Sequence, residues 1–279
     1  MRTIVQISDL HFGTILEPTI EPLVETIRRI QPDLVVTSGD LTQRARRVQY
    51  ADARAFLDRL PDPQLVIPGN HDVPAYNLYR RFAQPLERYK KFITHNLDPA
   101  FIDDEIAVLT MNTARAMVIK GGRVSHKQVE DVVAAFHRLD QGQARIVVTH
   151  HPFDLPPGLT GVDIVARADM AMPRFAQAGV EMFLAGHLHL VYFGSTSRYN
   201  IPGFAAPIVQ AGTATSTRAR GEPNSFNVIR VSQADIEVEV MRWEDSRHAF
   251  VSHETRRFPR AGGPSPATPR RPGELSQGR

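Results

Sequence analysis

The sequence predicts an α/β protein, on three observations. Short apolar runs alternate with longer stretches of helical spacing from the N-terminus to about residue 190. Most of these runs stop at a glycine, aspartate, asparagine or histidine instead of continuing. From Val191 on, apolar runs follow one another without helices between them. The first pattern indicates parallel β-α-β units, and the change after Val191 predicts a closing set of antiparallel strands.

Thr3–Ile7 is a short strand that stops at Ser8-Asp9. Pro18–Ile30 has helical spacing (Ile20, Leu23, Val24, Ile27, Ile30) and ends before Pro32. Leu34-Val35-Val36 is the next strand, stopping at Gly39-Asp40. Val48–Leu60 is helical until Pro61-Asp62-Pro63 breaks it, and Leu65-Val66-Ile67 is the third strand. Tyr76–Ile93 is mostly helix. Ile106–Leu109 and Ala116–Ile119 have strand character. Ser125–Leu139 is a helix with Ser125 as N-cap and Gln128 at the capping-box position. Arg145–Val148 is a strand ending at His150, Gly158–Gly161 a loop, and Ile164–Ala178 a helix capped by Gly179. Glu181–Leu184 is a strand ending at Gly186-His187, and Ala206–Gln210, Phe226–Val231 and Ile236–Val240 are the closing strands.

Composition narrows the class. At 42% hydrophobic residues the chain can bury a sizeable core. No apolar run is long enough to cross a bilayer, and Met1-Arg2-Thr3-Ile4-Val5 enters a strand with no signal-peptide core, so the cytoplasm is the expected location. There is no cysteine, which excludes disulfides, a cysteine nucleophile and thiolate metal sites. The net charge of +3 is misleading: residues 255–279 hold six arginines against Glu274, which leaves −2 for residues 1–254. Two regions are therefore expected, a near-neutral folded domain over 1–254 and a basic Pro/Arg-rich disordered tail over 255–279. A near-neutral domain argues against an extended nucleic-acid partner.

Five predicted strands end in potential ligands: Asp9 and His11, Asp40, Asn70, His150, and His187 with His189. In α/β sheets, ligands bind outside the carboxyl ends of strands, so these clusters are expected to meet. Histidine, aspartate and one asparagine oxygen suit Mn, Fe, Zn or Co. Seven ligands are too many for one ion with an open position; they suit two ions about 3.5–4 Å apart that share a carboxylate. Two divalent ions against two carboxylates and a hydroxide leave the site at about +1, which attracts a phosphate.

The order Asp-x-His, Gly-Asp, Gly-Asn-His-Asp, His, Gly-His-x-His over residues 9–189 resembles the calcineurin-like metallophosphoesterases, with bacterial cyclic-nucleotide phosphodiesterases nearest in motif. The resemblance implies a metallo-dependent phosphatase-like fold, a four-layer α/β/β/α sandwich of two mixed sheets. It implies two divalent metal ions (Mn, Fe or Zn), with Asp9, His11 and His189 on one, Asn70, His150 and His187 on the other, and Asp40 bridging. His151 then stands behind the ligands or on the substrate side. The implied activity is hydrolysis of a phosphodiester, such as a 3′,5′-cyclic nucleotide, by a metal-bound hydroxide. Phosphomonoesters and glycerophosphodiesters are alternative substrates, and a non-catalytic interaction module is the alternative class. His71 is expected to protonate the leaving oxygen or hold a phosphate oxygen. Asp72 either fixes its tautomer, as a catalytic partner, or caps the helix that follows. The expected partner is a small-molecule phosphoester, with a homodimer left open. Phe153–Leu159 and Gln210–Arg220 are candidate pocket loops. The remaining histidines, His95, His126, His137, His248 and His253, are expected to serve packing or surface roles.

Overall fold

Neighbouring residues of one strand pack in different interiors. Val5 and Ile7 of β1 (Arg2–Ile7) lie in a cluster with helix residues, whereas Ile4 lies in a cluster that contains no helix residue. This is the period-two alternation of a strand buried on both faces. The computed structural model describes residues 1–75, 77–117, 121–140, 142–159, 164–218 and 221–260.

Two six-stranded mixed sheets follow. In the first, β1, β2 (Leu34–Thr37) and β3 (Gln64–Val66) run parallel, and β10 (Ser225–Val231), β11 (Asp235–Glu244) and β12 (Ala249–Pro259) continue antiparallel from β1. The second contains β4 (Ala100–Ile102), β5 (Ile106–Met111), β6 (Ala144–Thr149), β7 (Met182–Ala185), β8 (Tyr192–Ser195) and β9 (Pro207–Gln210), in the order β4-β5-β6-β7-β9-β8. Ile4, Leu34 and Val36 of one sheet meet Val108, Ile146 and Leu184 of the other in a seam between them. Outside the first sheet lie α1 (Ile20–Ile30), α2 (Arg47–Leu57), α3 (Leu78–Ala83) and α4 (Glu87–Phe92), of which α1, α2 and α4 bury Leu23, Tyr50, Phe56 and Tyr89 against it. α5 (His126–Phe136) and α6 (Ala168–Gln177) bury Val129, Phe136 and Phe175 against the second sheet. Three apolar clusters between four layers make the α/β/β/α sandwich.

Several boundaries depart from the sequence reading. The Tyr76–Ile93 helix is two helices, separated at residues 84–86 around Pro85, and Tyr76 lies outside the described residues. Ala116 and Met117 form a turn instead of a strand, and residues 118–120 lie outside the described residues. The helix expected from Ile164 begins at Ala168, because Arg167 takes a left-handed φ of 71°. β9 is antiparallel only to β8 and runs parallel to β7. Thr255–Pro259 belong to β12, so the strand crosses the boundary expected at residue 254. β12 has few large apolar residues because it is an edge strand; it pairs with β11 in register from Asp235↔Pro259 to Glu244↔Ala249. Residues 261–279, the rest of the expected disordered tail, lie outside the described residues. No helix among the described residues is long and apolar enough to cross a membrane.

Candidate metal centre

The parallel strands of both sheets deliver their carboxyl ends to one place. β1 is followed by Asp9 and His11, β2 by Asp40, and β3 by Asn70; from the second sheet come His150 after β6, and His187 and His189 after β7. Sharp turns are needed to present such residues directly after a strand. Asp9, His11, Asp40, His187 and His189 all have φ between 50° and 75°, where non-glycine residues are uncommon. Strain of this kind, of order 1–3 kcal/mol per residue, persists where the surroundings over-determine it. Two glycines make room. Gly39 has a φ of 99°, and a Cβ there would stand 2.5 Å from His150 Nδ1; a Cβ on Gly69 would stand 2.1 Å from Asp40 Oδ1.

The side chains form two adjoining groups. Asp9, His11, Asp40 and His189 present ligand atoms within 4.8 Å of one another, as do His150, His151 and His187. Asp40 connects them: its Oδ2 lies 3.6 Å from His11 Nε2 and 3.4 Å from His150 Nε2. Asn70 Oδ1 is 3.2 Å from His150 Nε2 on the same side. All seven sequence-predicted ligands are thus brought together.

The interior is charged and deficient in hydrogen bonds. Asp9 Oδ1 and Asp40 Oδ2 are buried and accept none. His11 Nε2 and His189 Nε2 face each other at 3.0 Å. Backbone carbonyls aim two of the rings: His150 Nδ1 donates to Ser38 O at 2.8 Å and His189 Nδ1 to Arg218 O at 3.1 Å, which turns each Nε2 inward. Burial opposes the charge of Asp40, but the charge and contact of His150 hold its carboxyl well below the usual carboxylate range. Burial likewise opposes a cationic His150; the Asp40 charge overrides it and pushes the ring up to about 9. Converging nitrogens and oxygens with orphaned carboxylate atoms between them suit divalent cations of the Mn, Fe and Zn kind.

Asp72 does not do what the sequence suggested. Its buried carboxylate accepts the N–H groups of Leu41, Thr42 and Gly69 at 2.9–3.1 Å and the Thr42 hydroxyl at 3.0 Å. It therefore ties the turn carrying Asp40 to the turn carrying Asn70. His71 is oriented instead by Gln43, whose carbonyl accepts from Nδ1 at 3.0 Å. Its Nε2 faces the Arg218 guanidinium at 3.1 Å. Guanidinium only donates, so Nε2 is the acceptor of this contact. His151 is buried, with its Nδ1 2.7 Å from Thr113 Oγ1 and its ring centre 4.6 Å from that of His187. Gln43 and Arg218 were not singled out by the sequence. Arg218 lies in the Gln210–Arg220 loop, but nothing in the spacing separates it from Arg220.

Comparison with known proteins agrees with this geometry. Residues 2–191 match the family model described as calcineurin-like phosphoesterase. A probable cyclic nucleotide phosphodiesterase of Synechococcus is 31% identical over 81 residues, which is 26% of this chain and 32% of that protein. A probable glycerophosphodiester phosphodiesterase, GpdQ, of Arcobacter nitrofigilis is 27% identical over 178 residues, covering 61% of this chain and 60% of the relative. The chain thus spans less than two thirds of the length of either. Among solved structures, purple acid phosphatase PPD1 from yellow lupin seeds superposes with a TM-score of 0.72 at 12% identity, covering 93% of this chain and 54% of that one, a likeness of fold. With its family model matched over two thirds of its length and both sheets supplying the converging acids and imidazoles, the chain belongs to the calcineurin-like phosphoesterases.

Proposed function

We propose that this protein is a metal-dependent phosphodiesterase that works with two divalent cations. The observation that carries the reading is Asp40, whose unpaired Oδ2 stands between His11 of one group and His150 of the other. Asp9, His11 and His189 would hold one cation, Asn70, His150 and His187 the second, and Asp40 both. Cations bound there supply Lewis acidity toward phosphoryl oxygens and lower the pKa of water.

The chain's own residues do the positioning. Ser38 and Arg218 carbonyls fix the ring orientations of His150 and His189. The His71 N–H holds Asp40 Oδ1 at 2.8 Å, and Asp72 fixes the turns on either side. The His71 ring, half-buried and centred 4.8 Å from that of His11, is the group placed to pass a proton to the leaving oxygen, once its Nε2 has left Arg218 and taken one up. The phosphodiester class is supported by the names of both relatives; their substrates share an anionic phosphoryl group and an alkoxide leaving group that needs a proton.

The test is a screen of manganese-loaded protein on bis-p-nitrophenyl phosphate, p-nitrophenyl phosphate, cyclic AMP and a glycerophosphodiester. Diesters should be hydrolysed faster than the monoester, and chelation should abolish turnover. Preference for the monoester would replace the reading with phosphomonoesterase, and inactivity on all four would sink it.

A further inference from the structure

The loop after β9 delivers one more charged side chain to the site. That loop is strapped to the segment bearing Asp9 and His11. Ala214 N–H donates to Ser8 O at 3.0 Å, Thr215 Oγ1 to Leu10 O at 2.8 Å, and Thr217 N–H to Thr14 O at 2.9 Å. The strap ends at Arg218, whose carbonyl accepts from His189 Nδ1. The backbone there is thus fixed to both sides of the first ligand group. The Arg218 side chain is exposed, and its Nη1 donates to Gln43 Oε1 at 3.2 Å and lies 3.1 Å from His71 Nε2.

Both partners accept in these contacts, and no carboxylate among the described residues pairs with this guanidinium. A full positive charge is therefore held at the rim, one imidazole away from the ligand group, by contacts weaker than those an anion would offer. Hydrogen bonds between a guanidinium and a phosphate are roughly twice as strong as neutral ones, and the planar fork can meet two oxygens at once. We infer that Arg218 is a phosphate-binding residue of this site: it leaves Gln43 and His71 as substrate enters, and donates to a non-bridging oxygen of the phosphoryl group. The exchange also uncovers His71 Nε2 on the side from which the substrate arrives. The fixed backbone means that only the side chain has to move, so little ordering cost opposes binding. This inference rests on the phosphodiesterase reading.

The test uses full-length, manganese-loaded protein with Arg218→Ala, Arg218→Lys and Gln43→Glu. Binding of inorganic phosphate is measured by calorimetry, alongside KM and kcat for bis-p-nitrophenyl phosphate, metal content and melting temperature. Arg218→Ala should weaken phosphate binding and raise KM about tenfold, a change expected from losing one charged hydrogen bond. Metal content and melting temperature should stay unchanged, because the carbonyl that aims His189 is retained. Arg218→Lys should recover part of the loss, as it keeps the charge without the fork. Gln43→Glu should weaken phosphate binding as well, by giving Arg218 an ion-pair partner to leave. Phosphate affinity and KM within twofold of wild type in Arg218→Ala would overturn the inference, as would loss of metal from that variant, which would make the residue structural. Wild-type inactivity on every diester sinks the functional reading instead, and is told apart because it appears before any substitution is made.

Discussion

Asp40 accepts the backbone N–H of His71 on Oδ1 at 2.8 Å and receives no hydrogen bond on Oδ2. One oxygen is committed to the turn, and the other is aimed between two imidazoles. Asp40→Ala should therefore do more than remove a ligand. It should lower manganese content from two per chain towards zero, beyond the roughly 10–100-fold affinity loss typical of groups one step removed from a metal. Elemental analysis of the purified variant checks this, and a full metal complement would refute the bridging role.

Asp72 and His71 should separate cleanly. Asp72→Ala orphans three buried N–H groups and a hydroxyl, so a stability loss of about 2–4 kcal/mol is expected in urea unfolding. His71→Ala removes a half-buried ring whose backbone contact to Asp40 survives. It should keep metal and stability while slowing turnover by about 100-fold or more. Equal effects of the two substitutions on stability would contradict the roles assigned.

His150 gives metal loading a pH dependence. Although burial alone would lower it, Asp40 raises its folded-state pKa to about 9 from 6.5. The pair's stabilisation of the metal-free protein is thus fully present below about pH 6.5 and lost as pH rises through 9. A cation must displace that proton, so manganese affinity should move the opposite way, rising between pH 6.5 and 9. Calorimetry in buffers of different ionisation enthalpy should detect proton release at neutral pH. Affinity flat across that window would show that His150 is not a ligand.

The domain should end at Arg260, not Glu254. The Arg260 side chain, 7% exposed, pairs with Glu181 at 3.1 Å and donates to Ser232 O and Gly142 O, both at 2.8 Å. A chain cut after Glu254 loses this cation and half of β12, and should be destabilised by about 3 kcal/mol or more. A chain cut after Arg260 should melt at the temperature of the full-length protein. Scanning calorimetry of both truncations decides the matter.

What could be read from the sequence was whatever depends on period and punctuation. Leu34–Val36 and Leu65–Ile67 announce buried strands, and a glycine before Asp40 and Asn70 announces the turns that expose them. The convergence of these residues followed because their order maps directly onto strand order. Side-chain direction on a tight turn has no such signature. Asp72 points beneath its turn to Leu41 and Thr42, and local sequence cannot distinguish that from pointing at His71. β12 escaped notice because an edge strand carries charge where an inner strand carries apolar residues; Arg257 reaches Glu237 at 2.7 Å, and Arg256 lies 4.4 Å from the centre of the Phe193 ring.

The seam between the sheets runs from Ile236 and Met182 up to Gln6, whose side chain donates to Ala185 O at 2.9 Å just below the ligand groups. Apolar contact therefore already holds the two sheets together along their length. A cation held by Asp40 from one sheet and His150 from the other would act as a latch at the open end, not as a nucleus for assembly. Stripping metal should leave this chain folded but unlatched, its ligand turns fraying before its strands do.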